Sequence, residues 1–99
     1  MYLRITRTHF DPAISEQVAP LAREAVVAVQ RLPGVQQVHQ GIDRGSGTAA
    51  IVSVWDSEEH ARFSRDALGD VIARVHALGV QLDPPEIYAI EDDAGAGVR

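Results

Sequence analysis

Thr48-Ala49-Ala50-Ile51-Val52-Ser53-Val54-Trp55, followed at once by Asp56-Ser57-Glu58-Glu59, is the passage from which the architecture of this chain can be read. Its first eight residues make a strand with no wet side, because Ala49, Ile51 and Trp55 alternate with Ala50, Val52 and Val54. A sheet covered by helices on one face ordinarily leaves its other face in water. A strand that is apolar both ways therefore needs a second cover. The cover expected is another copy of the same sheet, so the chain reads as half of a homodimer.

The flanking segments supply the rest of the sheet. Gly45-Ser46-Gly47 is a flexible turn that folds residues 35–44 back beside 48–55 as a hairpin. Residues 35–44 are the more polar strand of the two, carrying Gln36, Gln37, His39 and Gln40. Pro33-Gly34 closes the preceding helix, whose stripe is Val18, Leu21, Ala22, Ala25, Val29 and Leu32. Pro20 predicts an irregular start to that helix. Residues 2–9 alternate as a first strand, with Leu3, Ile5, Arg7 and His9 on one side and Tyr2, Arg4, Thr6 and Thr8 on the other. After residue 55, Asp56 and Glu59 match a capping box, and Leu68, Val71, Ile72, Val75 and Leu78 form a second helical stripe. Gly69 marks a break or a close approach within that stripe, and Gly79 its stop. Beyond Pro84-Pro85, residues 86–91 read as the last strand. The expected fold is α+β, ferredoxin-like βαββαβ, with a four-stranded antiparallel sheet. It occupies one domain over residues 1–91, followed by a flexible tail over 92–99.

Composition narrows the chemistry. With 99 residues, 45% hydrophobic and 23% charged, the chain fits one globular domain and carries no apolar run of membrane-spanning length. Its start lacks the basic cap and apolar run of a secretion signal, so a cytoplasmic location is expected. The absence of cysteine excludes disulfides, thiolate catalysis and Cys-ligated metal, and the absence of lysine excludes Schiff-base chemistry. A net charge of −5 opposes binding to nucleic acid or to an anionic membrane. The four histidines, at 9, 39, 60 and 76, have neither helical nor strand spacing for a shared metal, and no metal site is expected.

The Pro33-Gly34-Val35 entry into the second strand and the run Val52-Ser53-Val54-Trp55-Asp56-Ser57-Glu58-Glu59 resemble the antibiotic biosynthesis monooxygenase family of the dimeric α/β-barrel superfamily. The likeness covers about residues 1–91. It implies a homodimer with sheets packed face to face, a small-molecule pocket between sheet and helices, and in some members oxidation of aromatic polyketides or quinols by molecular oxygen without any cofactor. Other members degrade haem or have no known activity. Haem-degrading relatives resemble a different pattern, with an asparagine in the first strand and a tryptophan in the second helix. This chain has no asparagine and places Phe63-Ser64 in that stretch.

Cofactor-free oxygenation needs a substrate anion and exclusion of water. On that expectation the candidate catalytic groups are His39, His76 and His9, each weighed against a structural histidine at the surface. Candidate substrate-binding residues are Arg7, Trp55 and Tyr88. Arg7 stands either at a pocket mouth or in solvent, and Trp55 is the natural core anchor. Three readings follow. An oxygenase or related cyclase predicts a pocket bearing one of the three histidines with Arg7 or Tyr88. A non-catalytic ligand-binding or stress-response barrel predicts a pocket of Leu, Val and Phe alone. A dimerisation module predicts no pocket. An amino-acid-binding module of the ACT type shares the same order of elements and stays open beside them.

Overall fold

The centre of the sheet is its first strand. In the computed structural model, which describes residues 1–92, strand β1 (Tyr2–His9) pairs antiparallel with β3 (Thr48–Trp55) along its whole length, from Tyr2 opposite Trp55 to His9 opposite Thr48. Strand β2 (Val35–Asp43) lies outside β3 as the antiparallel hairpin partner. The other edge of β1 is shared by two short pieces, β4 (Gln81–Leu82) beside Thr8 and His9 and β5 (Glu86–Ala89) beside Tyr2 to Ile5. Asp83-Pro84-Pro85 separates the two pieces, since proline cannot donate to a ladder. The sheet is thus four rows deep, with its fourth row split. The tail expected over 92–99 lies outside the described residues apart from Asp92.

A 3-10 turn (Pro12–Ile14), capped by the Asp11 carboxylate accepting from the Ala13 amide at 2.9 Å, leads into helix α1 (Ser15–Gln30). Pro20 lies inside α1 and the helix continues through it; the irregular turn comes earlier, at Pro12. The second helical region is in three pieces: α2 (Glu58–Ala61), a 3-10 turn (Arg65–Leu68) and α3 (Val71–Ala77). Gly69, at φ 71° and ψ −145°, makes the second of these breaks. The cap of α2 differs from the expected box. Ser57 is the N-cap and accepts from the His60 amide at 3.2 Å, while Asp56 accepts from His60 Nδ1 at 2.7 Å.

The helices cover the sheet face that carries Tyr2, Arg4, Thr6 and Thr8 of β1 with Ser53 and Trp55 of β3. Two apolar clusters fill that layer. Phe10, Val18, Val75 and Val80 form one, and Val29, Trp55 and Ala61 form the other. Trp55 is fully buried, donates from its indole nitrogen to the Ser53 hydroxyl at 2.8 Å, and meets the Phe63 ring at 5.2 Å between centroids. On the opposite face Leu3, Ile5, Ala50, Val52 and Val54 are only half-buried, and no described element covers them. A β-bulge between Val35 and Gln37 resets the alternation of β2, so Val38, Gln40 and Ile42 share the helix side with Ser53, Ile51 and Ala49.

Candidate functional site

Between the clusters the layer is not filled. A cavity of about 70 Å³ lies under the helices, floored by the sheet and roofed by α1, the 3-10 turn and α3. Val18, Leu21, Ala25 and Val29 line it from α1, and Leu68, Ile72, Val75 and Leu78 from the second helical region. Its floor comes from Thr6, Thr8, Ala49, Ile51 and Ser53, with the exposed Gln40 at the β2 edge. Two charged groups join this apolar lining, Arg4 and Arg65.

Arg4 lies midway along the central strand and only 4% of it is exposed. Its Nη1 donates to the carbonyls of Ala61 at 2.8 Å and Phe63 at 3.1 Å, and its guanidinium lies 3.8 Å from the centroid of the Phe63 ring. Those two carbonyls are free because the chain leaves helical geometry after Ala61. The buried Nε–H has no partner. Among the described residues no carboxylate reaches Arg4, and burial, reinforced by the nearby charge of Arg65, lowers its pKa to about 10. Arg65 is half-buried and donates to the backbone carbonyl of Asp83. No carboxylate, histidine or tyrosine belongs to the described lining. The arrangement suits an apolar molecule with negative charge at one end, and it offers no proton acceptor of its own.

The residues nominated from sequence stand elsewhere. His9 and Arg7 are exposed on the open sheet face, His9 Nε2 lying 3.0 Å from Asp83 Oδ2 and Arg7 Nε donating to Glu86 at 2.8 Å. Tyr88, 52% exposed on that face, donates to Glu86 at 2.9 Å; the bond to that carboxylate raises its pKa. Arg7 and then Tyr88 hold the Glu86 carboxyl below its ordinary range. His39 is exposed on β2 opposite Val52, with Nε2 3.3 Å from Gln37. His76 is exposed on α3. Trp55 is a wall of the core beside the cavity. The structure therefore brings Arg7, Glu86 and Tyr88 together on one face and leaves the three histidines apart. Among the described residues no three His, Asp or Glu side chains stand close enough to hold a metal ion, and no helix is long and apolar enough to cross a membrane.

Sequence reasoning missed Arg4 and Arg65. One signal was available for Arg4: in a sheet dry on both faces, the middle of the central strand has no route to water, so a charge there must be buried.

Comparison with known proteins places the fold. A protein from Deinococcus radiodurans named provisionally as an antibiotic biosynthesis monooxygenase superposes with a TM-score of 0.77 at 15% identity, over 94% of this chain and 95% of that one. Rv0793 from Mycobacterium tuberculosis matches with a TM-score of 0.70 at 16% identity, over 95% and 98%. SnoaB, a cofactor-independent oxygenase from Streptomyces nogalater, matches at 0.66 and 18%, over 95% and 96%. No family model and no curated protein matches the chain. The chain has the ferredoxin-like α+β fold that many antibiotic biosynthesis monooxygenase structures share. At these identities the likeness concerns the fold alone.

Proposed function

We propose that this chain works as a homodimer paired through its open sheet face, and that the cavity of each protomer is the site of a cofactor-independent monooxygenase acting on a small aromatic, quinol or polyketide-like substrate. The observation that carries the proposal is the apolar cavity under the helices, whose lining carries two cations, Arg4 and Arg65. The fold shared with SnoaB, itself a cofactor-independent oxygenase, supports it. In such a reaction the substrate ionises and its carbanion reduces oxygen. One oxygen atom becomes the new carbonyl, and the other leaves as water with the two hydrogens of the oxidised carbon. His9, His39, Arg7 and Tyr88 would then face the partner's sheet, and His76 would lie on the outer side of α3; each remains a candidate for proton uptake or substrate contact. The cavity is about half the roughly 150 Å³ that takes up a benzene ring, so a ring-sized substrate requires the helical layer to open.

A second reading, a non-catalytic ligand-binding or stress-response barrel, is favoured by the lack of histidine or carboxylate in the described lining. The purely structural reading called for a filled layer, and the cavity speaks against it. Oxygen uptake with hydroquinones and anthrone-type phenols separates the first two. The oxygenase reading expects uptake above autoxidation and a loss on His39→Ala if that histidine takes the proton. Ligand binding without uptake establishes the second reading. Sedimentation as a monomer at micromolar concentration removes the dimer.

A further inference from the structure

We infer that Arg4 and Arg65 in the cavity lining form a binding site for one anionic oxygen on an apolar, ring-sized ligand, and that the ligand is a phenol or enol that ionises as it binds. The inference rests on the cavity being the ligand site, as the proposed function does, but it needs no oxidation.

The argument begins with a cost. A guanidinium sunk in an apolar layer is tolerated when a carboxylate or a full set of acceptors surrounds it. Arg4 has two carbonyls and a ring face, its Nε–H is unused, and the nearest charged neighbour on the cavity is another cation. Two like charges converging on one void, with a donor left open, make a strained arrangement in the empty protein. A ligand oxyanion relieves it by giving Arg4 an acceptor and screening it from Arg65. The ionisable groups of the described lining are those two arginines alone, so nothing there competes for the oxyanion. The Asp83 carboxylate is turned to His9, and Arg65 takes only that residue's backbone carbonyl. The lowered pKa of Arg4 agrees with the geometry.

The same geometry explains how the cavity manages without a base. Opposite charge within a few ångströms lowers the pKa of an acid by about one to three units. A phenol docked against Arg4 can release its proton to solvent through the β2 edge at Gln40 and stay bound as the electron-rich anion.

The test uses the full-length protein with 4-nitrophenol, whose anion is coloured, and 4-nitroanisole, which has the same ring with a methyl group on the oxygen and no acidic proton. At a pH about one unit below the phenol's own pKa, the bound phenol should show the anion band and bind at least tenfold more tightly than the ether. Arg65→Gln, at a half-exposed position, should move the bound pKa back toward its solution value and weaken the phenol without weakening the ether. Arg4→Lys, checked for a native melt, should weaken the phenol further. Four results overturn the inference: equal affinity for phenol and ether, binding of the neutral phenol, no binding of either, or no response to both variants. Preferential binding of benzoate over the phenol by tenfold or more overturns the phenol assignment. None of these readouts involves oxygen, so failure of the oxygenase reading leaves them unaffected.

Discussion

The two strand–helix–strand halves of this chain follow one plan with unequal regularity. The first runs β1, one uninterrupted helix of 16 residues, and a nine-residue strand; the second runs β3, a helix in three pieces, and a last strand in two. The regular half supplies smooth apolar wall from α1. Arg4, Thr6, Thr8 and Gln40 also come from this half, while the irregular half supplies Ser53, Arg65 and the carbonyls that hold Arg4. Ala61 and Phe63 turn their carbonyls to Arg4 where α2 stops, and Arg65 begins the 3-10 turn that follows. Irregular backbone liberates carbonyls that a continuous helix would consume, and here they position a buried cation. The buried cation of the regular half is thus held where the helix of the other half breaks.

Substitutions can probe that contrast. Trp55 packs on Ala61 and Phe63 and so ties the irregular segment to the sheet. Trp55→Ala should cost about 3–5 kcal/mol, read as a lowered denaturant midpoint, and should disorder the Arg4 contacts with it. Gly69→Ala tests the break itself. An added Cβ meets no atom there, so the penalty is that of the glycine-only backbone conformation, about 2 kcal/mol. A smaller loss with higher helicity by circular dichroism would mean that the pieces have fused, and the cavity should then lose its ligand. The mildest effect is expected at Glu24→Gln, which removes the two-pronged Arg74 contact (2.7 and 3.2 Å) joining α1 to α3. Hydrogen bonding to Arg74 holds the Glu24 carboxyl below its ordinary range. Its small stabilising effect is therefore present above the usual carboxylate pKa and lost as the pH falls through the depressed one. Melting curves of the two proteins should converge in acid and in high salt.

Legibility in the sequence followed the same division. Strands β1 and β3 have the bounds that alternation predicts, and β2 ends at Asp43, one residue short of expectation. The break at Gly69 was visible because glycine acts locally. The break after Ala61 was not, because Phe63 leaves the helix to reach Arg4, a partner distant in sequence. Strand β4, at two residues, is too short to alternate. Arg4 was overlooked for a related reason. With Thr6 and Thr8 beside it on one side of β1, and Leu3 and Ile5 on the other, the polar side reads as the wet one. It is the side beneath the helices, where Arg4 reaches the carbonyls of Ala61 and Phe63.

The bulge in β2 has a consequence for how such a chain can drift in length. Two residues of β2 answer to one of β3 between Val35 and Gln37, so the strand holds a spare position at Gln36. Losing that residue would leave Val35, Val38, Gln40 and Ile42 on the sides they now occupy, whereas a single deletion midway along β3 would turn half of its buried side chains outward. Shortening by one is thus tolerable at Gln36 and ruinous about fifteen positions later, at Ile51, in a sheet whose strands otherwise keep strict step.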